Sequence, residues 1–326
     1  MYTIGIDIGG TKIAGGLVDR SGEIRERTQC PTRASEGAQA VMSRVTDLAA
    51  SLRHAAGGKI EGIGVASGGQ IDPATGVVIH ATSLLPGWKG TRITEALEAR
   101  FGVKARALND GSAAALGEGR FGVAKGVRDF VLLTLGTGVG GGIVSDGRLV
   151  SGALGVAGSI GHVVIDCDGR PCNCGSRGCL EAYASGTAIL SRMTELADAR
   201  QYDSPFIRRL RQGEPRSSTL MHDAIKDTLG NEVISEAGEY LGWGFVTLLN
   251  LLNPAMIVVG GGVAVLGDAL LDPAREIARK HALRGDWDPV RIVRAELGNN
   301  AGLVGAASLV WEEHGSIEGK ETRNNA

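Results

Sequence analysis

The sequence predicts an α/β protein of two lobes, each built on a mixed β-sheet. Two observations carry this prediction. The chain has 326 residues, which exceeds the ~250–300 residues at which one hydrophobic core stops growing. It also contains a repeated pattern, because residues 4–24 and residues 131–150 both read as an apolar strand, a glycine-rich turn, a strand and a polar turn. Two such units indicate two lobes of related topology.

Strands and helices alternate along the rest of the chain. Short apolar runs bounded by turn residues predict further strands at 59–66, 129–135, 256–259 and 290–295. Longer periodic segments, several with Asp, Ser or Asn near their starts, predict helices at 38–55, 92–101, 111–119, 181–200, 232–252, 264–281 and 301–313. We expect residues 1–118 and 301–326 to form a small lobe and residues 119–300 a large lobe, with a frayed polar tail after the last helix.

Charge and hydropathy argue against several classes of protein. The formal net charge is −2 and no block of Lys or Arg could neutralise many phosphates, which argues against a nucleic-acid partner. The N-terminal residues MYTIGIDIGG lack the layout of a signal peptide, so we expect a cytoplasmic protein. The uncharged stretch 242–267 is interrupted by Asn253-Pro254 and by three glycines, which favours a buried helix, a turn and a buried strand over a membrane span.

Two glycine-rich turns predict a site for nucleotide phosphates. The first turn places a carboxylate at a strand end, two glycines whose N–H groups can approach an anion, and a hydroxyl that can donate to it. Its residues are Asp7, Gly9, Gly10, Thr11 and Lys12. A Gly-Gly hairpin alone is usually only a hairpin. The second turn occurs at the same place in the repeated unit, however, and its many glycines would weaken a strand unless a ligand must approach the backbone. The residues of this second turn that we single out are Gly136, Thr137 and Gly138.

A third glycine run follows a buried strand. Gly260, Gly261 and Gly262 come after the apolar residues MIVV and precede a helical segment. Because ligands of open α/β sheets bind at the carboxyl ends of strands, this run fits the adenosine part of a nucleotide, although close packing of the next helix explains it equally well. A dinucleotide site fits less well, since no G-x-G-x-x-G turn opens a helix with an acidic residue about twenty positions later.

An Asn-Asp pair, Asn109 and Asp110, joins a short strand to a helix of small residues. Asp110 could cap that helix, which is the usual role of such a pair. A carboxylate at a strand end can also accept the proton of a sugar hydroxyl as that hydroxyl attacks a γ-phosphate. The two roles are compatible, so Asp110 is a candidate catalytic base.

Four residues have the spacing and chemistry of a structural zinc site. His162, Cys172, Cys174 and Cys179 form the pattern H-x9-C-x-C-x4-C, and three thiolates with one imidazole suit tetrahedral zinc. Four protein ligands leave no open position for water, so we expect a structural ion rather than a catalytic one. The chain has five cysteines, an odd number, and disulfides are rare in the cytosol, which also favours a metal.

Glu181 lies two residues beyond the last of these ligands, in the first turn of a predicted helix. A favourable interaction with the helix dipole explains an acidic residue there. Its closeness to a metal ligand would also fix its geometry, which makes Glu181 a candidate acceptor for a substrate hydroxyl.

These motifs together resemble the ROK family of sugar kinases and repressors over nearly the whole chain. The resemblance rests on the two phosphate turns and on the zinc signature that ends in CLEAYASG. It implies a two-lobed, actin-like fold with a cleft between the lobes, a homo-oligomer (dimer or tetramer), and ATP with Mg²⁺ as phosphate donor. By the same resemblance, Asp110 deprotonates the 6-hydroxyl of a hexose, and His162 binds both zinc and sugar through its two ring nitrogens. The positions that match sugar contacts of the family are Gly68, Gly69, Thr82, Asn109, Asp110, Ser159, His162 and Glu181.

The identity of the sugar is less firmly indicated. The segment CNCGSRGCLEAYASG is similar to that of glucokinases, which favours glucose, whereas SGGQIDPATGVVIHAT is also similar to N-acetylmannosamine kinases. Relatives usually carry Glu three residues before the zinc-binding His, but this chain has Ser159, which is shorter and uncharged. Glucose is therefore the favoured substrate, with an N-acylhexosamine as the alternative.

Two other classes of protein compete with a kinase. A non-catalytic sugar sensor would account for Ser159, but it would not need Asp110 together with both phosphate turns. The sequence also begins at the first strand of the kinase-like part, whereas family repressors carry a helix-turn-helix segment ahead of it. An actin-like or chaperone ATPase would leave the zinc ligands and Glu181 unexplained. The sequence thus predicts an enzyme, and it leaves a phosphate donor other than ATP open.

Overall fold

The computed structural model describes residues 1–81, 85–215, 217–283 and 290–311. Its strands are β1 (Tyr2–Ile8), β2 (Lys12–Val18), β3 (Ile24–Pro31), β4 (Ile60–Ser67), β5 (Gln70–Ile71), β6 (Val78–His80), β7 (Lys104–Asn109), β8 (Phe130–Leu135), β9 (Val139–Ser145), β10 (Arg148–Leu149), β11 (Met256–Gly260) and β12 (Arg291–Arg294). Its α-helices are α1 (Ala38–Ala55), α2 (Ile93–Phe101), α3 (Asp110–Phe121), α4 (Glu181–Ala184), α5 (Gly186–Ala199), α6 (Pro205–Arg211), α7 (Ser218–Ala224), α8 (Thr228–Leu252), α9 (Asp268–His281) and α10 (Ala301–Ser308).

The first sheet brings three strand ends to one edge. Its strand order is β3-β2-β1-β4-β7, and β1, β4 and β7 run parallel. Ile8, Ser67 and Asn109 are register partners across these strands, so the three carboxyl ends lie side by side. Polar residues that follow the strands therefore gather at this edge, where ligands of α/β sheets commonly bind.

Helices cover both faces of the first sheet. Successive residues of β2 point to opposite faces, and they enter different cores. Ile13 and Leu17 pack with residues of α1 and α2, whereas Ala14 and Val18 pack with residues of α10. Burial on both faces makes this sheet a rigid support for the turns at its edge.

The second sheet repeats the plan of the first. Its strand order is β10-β9-β8-β11-β12. In each sheet three consecutive strands lie beside two strands that come later in the chain, so the internal repeat and the α/β class predicted from the sequence are confirmed. A two-stranded sheet of β5 and β6 completes the described strands.

Contacts divide the chain into two compact units. The first unit comprises Met1–Phe130, Gly141–Gly158 and the described residues from Glu296 onward. The second comprises Val131–Gly140 and Ser159–Ala295. The first and last changes between the units fall at residues 130 and 296, and the lobe boundaries predicted from the sequence are 118 and 301.

Several helix predictions require correction. The segment 181–200 contains two helices rather than one, because the Ser185 hydroxyl accepts a hydrogen bond from the Ala188 amide at 3.1 Å and caps α5. The segment 264–281 begins as a 3-10 helix, Gly262–Leu266, before α9 starts. Helices α6 and α7 were not predicted at all; both are short. The predicted helix 301–313 ends as α10 followed by a 3-10 turn, Leu309–Trp311, and the polar tail lies outside the described residues.

The uncharged stretch 242–267 forms the predicted helix, turn and strand. Helix α8 ends at Leu252, Asn253 adopts a left-handed conformation with φ of 46°, and β11 follows. Among the helices that the structure describes, none combines the length and the apolar character that a membrane crossing needs.

Candidate functional site

In the first unit, the helix cap is Asn109 and not Asp110. The Oδ1 atom of Asn109 accepts hydrogen bonds from the amides of Gly111 at 3.0 Å and Ser112 at 3.3 Å. Its Nδ2 atom donates to the carbonyl of Gly69 at 2.9 Å. The alternative that Asp110 caps the helix is therefore wrong, since this role falls to its neighbour. Asn109 also fixes the turn that contains the predicted sugar contacts Gly68 and Gly69.

Asp110 is the first residue of α3, with Oδ1 accepting from the Gly111 amide at 2.8 Å. The protein atoms packed around this carboxyl raise its pKa, although its surface still meets solvent. Burial and the neighbouring charge of Asp110 also raise the pKa of Asp7 to about 6, against the weaker opposing effects of Lys12 and Arg27. Two carboxyls with raised pKa values at one sheet edge mark the first unit's candidate reactive centre.

The first glycine turn is held by Thr32, a residue that the sequence analysis missed. The Gly9 amide donates to the Lys12 carbonyl at 3.0 Å, which closes the turn between β1 and β2. The buried Thr32 donates its hydroxyl to the Gly9 carbonyl at 2.6 Å and its amide to the Thr11 carbonyl at 2.9 Å. Because β3 lies next to β2 in the sheet, Thr32, the residue that directly follows β3, can support the turn.

The Gly68–Gly69 turn has a second support in Trp88, also missed from the sequence. Its indole Nε1 donates to the Ser67 hydroxyl at 3.0 Å, and that hydroxyl donates to the Gly68 carbonyl at 3.1 Å. Trp88 is only 1% exposed, so these hydrogen bonds connect the turn to a side chain buried in the core. The remaining predicted sugar contact of this region, Thr82, lies outside the described residues.

In the second unit, the four predicted metal ligands come together. The ligand atoms of His162, Cys172, Cys174 and Cys179 all lie within 4.8 Å of one another. His162 Nδ1 is 3.8 Å from Cys172 Sγ, and Cys174 Sγ is 3.7 Å from Cys179 Sγ. Ligands placed about 2.3 Å from a common centre at the corners of a tetrahedron stand about 3.8 Å apart. The donor set and its spacing therefore fit a structural zinc ion.

The thiols of this cluster differ in their surroundings. Burial raises the pKa of Cys172, and it raises the pKa of Cys179 to about 12, whereas hydrogen bonds led by the Ser176 amide lower the pKa of Cys174. Metal ligation needs thiolates. Binding of an ion to this cluster must consequently release protons.

An aromatic and charged network links α8 to the metal-binding segment, residues 162–179, which contains the four predicted ligands. The guanidinium of Arg170 lies 4.6 Å from the ring centroid of Tyr183 and forms an ion pair with Glu236 at 2.6 Å. The Tyr183 hydroxyl donates to Asp166 at 3.0 Å. These contacts hold the loop between the first and second ligands independently of a metal.

Glu181 begins α4, as predicted, but its carboxylate also contacts the second glycine turn. Oε2 accepts a hydrogen bond from the Val139 amide at 2.9 Å, while Oε1 lies 4.0 Å from Cys172 Sγ. Further along, the Gly186 amide donates to the Gly136 carbonyl at 2.8 Å. The second turn is thus tied to the segment that carries the metal ligands.

A pocket of about 210 Å³ lies beside this turn. The predicted nucleotide residues that line it are Gly136, Thr137 and Gly262, while Gly138, Gly260 and Gly261 are not among its lining residues. Polar lining residues that the sequence analysis missed are Thr187, Ser217 and Ser218, and the apolar ones are Leu190, Met221 and Val263. Apolar walls with a few hydroxyls suit a nucleobase or ribose better than a charged group. The serine that caps α7, in the sequence SSTL, was the available signal for this wall.

Ser159 is exposed and directly precedes the 3-10 helix Ile160–His162. Its carbonyl accepts from the His162 amide at 3.1 Å. With Nδ1 of His162 turned toward the thiols, Nε2 on the opposite side of the ring is the nitrogen that remains for another partner. Ser159, where this chain departs from the family pattern, is thus joined to the predicted metal ligand His162 by one short turn.

Comparison with known proteins matches residues 3–313 to the ROK family. The chain is 36% identical over 315 residues to a glucokinase of Streptomyces coelicolor, covering 95% of this chain and 98% of that protein. It is 33% identical over 312 residues to the N-acetylmannosamine kinase of Citrobacter koseri, covering 95% of this chain and 98% of that protein.

Among solved structures, the fold matches the ROK family glucokinase of Streptomyces griseus in complex with glucose and AMPPNP. The TM-score is 0.83 at 35% identity, covering 95% of this chain and 99% of that one. ROK sugar kinases have the two-lobed actin-like fold, so the fold class expected from the sequence is confirmed.

Proposed function

The chain belongs to the ROK family, and we propose that it is a sugar kinase that transfers the γ-phosphate of ATP to the 6-hydroxyl of glucose. The observation that carries the proposal is the likeness, over 95% of the chain, to a kinase solved with glucose and an ATP analogue. The geometry of each unit supports it, since one unit holds paired carboxyls at a sheet edge and the other holds a pocket suited to a nucleoside.

In the first unit, we assign the chemical step to Asp110. Its raised pKa makes the carboxylate more basic than that of an ordinary aspartate. Asp110 would take the proton from the sugar hydroxyl as that oxygen attacks phosphorus. Asp7 would be the carboxylate that meets the Mg²⁺ accompanying ATP, and the turn of Gly9, Gly10, Thr11 and Lys12 would hold phosphate oxygens.

The sugar contacts are proposed on both chemistry and resemblance. The Oδ1 atom of Asn109 caps the helix, and its side chain donates to the Gly69 carbonyl and to the Asp110 carboxylate, so Asn109 would orient the residues around the sugar hydroxyl. His162 would offer Nε2, and Glu181 has lone pairs that the Val139 amide does not use. Gly68, Gly69 and Thr82 complete the proposed set.

In the second unit, the proposed nucleotide residues are Gly136, Thr137 and Gly138, with Gly260, Gly261 and Gly262 beside the adenosine part. We propose that zinc occupies the cluster of three cysteines and His162, where it would fix the loop and supply no chemistry to the phosphate transfer. Cytoplasmic location and assembly into a dimer or tetramer stay predictions.

N-acetylmannosamine or another N-acylhexosamine is the second candidate substrate. The observation that favours it is Ser159, which replaces the Glu usual in the family with a smaller, uncharged side chain. Such a change removes a charge-assisted contact and makes room for a bulkier sugar.

Measuring ADP release with Mg²⁺-ATP across a panel of hexoses and N-acylhexosamines tests both candidates. We expect sugar-dependent ADP release, with the highest kcat/KM on glucose. A higher kcat/KM on N-acetylmannosamine would move the assignment to the second candidate. Absence of ADP release with every sugar would contradict a sugar kinase and would restore the non-catalytic sensor. ADP release that no sugar stimulates would instead restore the ATPase alternative.

A further inference from the structure

Residues that flank the two ends of the metal-binding segment both contact the second glycine turn. Glu181, two residues after the last ligand, accepts the hydrogen bond of the Val139 amide at 2.9 Å. Gly161, one residue before the first ligand, packs against the other side of the same residue, because a Cβ placed on it would lie 2.1 Å from the Val139 carbonyl oxygen. The N–H of Val139 is therefore hydrogen-bonded by Glu181, and its C=O is closely approached by the backbone of Gly161.

Those two ends are also tied to each other. The Leu180 amide donates to the Val163 carbonyl at 2.9 Å, and the Ile165 amide donates to the Gly178 carbonyl at 2.8 Å. A metal ion that joins His162 to Cys179 would close the same loop. Val139 thus contacts residues at both ends of a segment whose ends are hydrogen-bonded to each other.

The glycines of the turn serve different purposes. A Cβ on Gly138 would lie 2.4 Å from Glu181 Oε2, so a side chain there would push the carboxylate away from Val139. A Cβ on Gly136 would meet no protein atom within 4 Å. Gly136 is thus free for close approach by a ligand, whereas Gly138 leaves room for Glu181.

We propose that Glu181 is a positioning residue for the nucleotide: it holds the second glycine turn through Val139, so that nucleotide affinity depends on this hydrogen bond and on the metal-binding segment. The inference rests on the proposed nucleotide role of the turn. It adds to the proposed sugar contact of Glu181, because a carboxylate can accept from both partners. By linkage, a sugar bound at Glu181 and a nucleotide bound at the turn would alter each other's affinity by the same factor.

Removal of the Glu181 carboxylate should change nucleotide affinity in the opposite direction if Glu181 does not hold the turn. A carboxylate near phosphates repels them, so its removal would then strengthen nucleotide binding. Loss of the hydrogen bond would instead let the turn move and weaken binding. The direction of the effect thus separates the two views.

A double-mutant cycle on ADP binding, measured by calorimetry without sugar, tests the proposal. We expect Glu181→Ala and Gly138→Ala each to weaken ADP binding about tenfold, which is about 1.4 kcal/mol. In the Glu181→Ala background, Gly138→Ala should add less than about twofold, because the carboxylate it displaces is gone. Equal factors for Gly138→Ala in both backgrounds, or unchanged or tighter binding by Glu181→Ala, would overturn the proposal.

Gly136→Ala is the matched control, since it adds the same methyl group to the same turn without touching Glu181. Its effect on ADP binding should be the same with Glu181 and with Ala at that position. Glu181→Gln covers the case in which Gly138→Ala fails to fold. The amide oxygen of Gln can still accept from Val139, so ADP affinity should stay within about threefold of wild type. A loss as large as that of Glu181→Ala would contradict the hydrogen-bond role.

The cycle is independent of turnover. A wild-type protein that binds ADP but does not phosphorylate glucose would overturn the proposed function and leave the cycle decisive. A protein that phosphorylates glucose but gives additive factors would overturn this inference alone. Absence of ADP binding would contradict both.

Discussion

The two glycine turns of the repeated strand units occupy equivalent places in their sheets but are held by different means. The first is supported by Thr32, which directly follows β3 of the same sheet. The second is supported by residues that flank the metal ligands, through Glu181 on Val139 and Gly186 on Gly136. The repeated strand pattern thus has a turn held by its own sheet in one unit and a turn held by residues near the His/Cys cluster in the other.

The surroundings of the turns differ in the same way. The first turn lies on the unit that carries two carboxyls of raised pKa, Asp7 and Asp110. The second has a thiol cluster and an apolar pocket. The first unit thus carries the candidate reactive groups, and the second carries a pocket beside a cluster suited to zinc. Substitutions in each unit test this difference.

The largest effect is expected from Asp110→Asn. Without a carboxylate to accept the hydroxyl proton, kcat should fall by roughly 10²–10⁴-fold, with the fold retained. Steady-state kinetics measures kcat, and circular dichroism checks that the fold is retained. Asp47→Asn, the same chemical change on the exposed face of α1, is the control and should leave kcat unchanged. An Asp110→Asn enzyme with more than half of the wild-type turnover would remove this residue from the mechanism.

Cys174→Ala should disrupt the predicted metal site of the second unit. Loss of one ligand should lower the zinc content from about one per chain, and a loss of about 3 kcal/mol would lower Tm by roughly 6–12 °C. Sugar affinity should fall as well, because His162 and Glu181 lie on or beside the loop. Cys167→Ala removes an exposed thiol outside the cluster and should change none of these. Elemental analysis that finds no thiophilic metal in chelator-free wild-type protein would contradict the account.

Asp7→Asn should change stability in a pH-dependent way. The pKa of Asp7 rises from 3.8 to about 6, so the folded state binds this proton more tightly than the unfolded chain does. The contribution of Asp7 to stability is then full below about pH 4 and is lost as pH rises through about 6. Asp7→Asn should accordingly be more stable than wild type at pH 8, by at most about 3 kcal/mol before solvent screening, and similar to it near pH 4.

Urea unfolding at pH 4 and pH 8 measures this difference. Asp19→Asn is a control of opposite sign, because hydrogen bonds led by the Ser21 hydroxyl lower the pKa of Asp19. Its removal should cost stability at pH 8 rather than add to it. A shift of Asp7→Asn that is equal at both pH values would show that its ionisation is not coupled to folding.

Ser159→Glu tests the departure from the family pattern beside His162. If the family carboxylate accepts hydrogen bonds from ring hydroxyls, restoring it should lower KM for glucose by roughly ten- to a hundredfold, since such bonds contribute about 1.5–3 kcal/mol. Ser159→Gln keeps the length without the charge and should recover less. Loss of activity on the best substrate would instead show that Ser159 makes room for a larger sugar, and no change on any sugar would place position 159 away from the substrate.

The smallest effect is expected from Thr32→Val. It deletes the hydroxyl that supports Gly9 while keeping the shape, at a cost of about 1 kcal/mol. KM for ATP should rise roughly two- to fivefold while zinc content stays the same, which distinguishes the first turn from the second. Thr46→Val, which removes a hydroxyl bonded within α1, should leave KM unchanged. A loss of zinc in Thr32→Val would contradict the independence of the two supports.

The sequence predicted the parts of the site that depend on local pattern. The repeated strand units, the metal spacing and the strand-to-helix step at Asn109 and Asp110 all show in consecutive residues. The residues that support the turns could not be predicted in this way, because Thr32, Trp88 and Val139 act through contacts with residues far away in the chain. The cap on α3 was assigned to the wrong member of the Asn-Asp pair, since both residue types cap well and only the backbone geometry decides between them.

The central claim, phosphate transfer from ATP to glucose, is tested most directly by ³¹P NMR of the purified protein with Mg²⁺-ATP and glucose. We expect the γ-phosphate signal to be replaced by that of glucose 6-phosphate, with one ADP formed for each sugar phosphate. Inorganic phosphate in place of a sugar phosphate, or no consumption of ATP, would contradict the account.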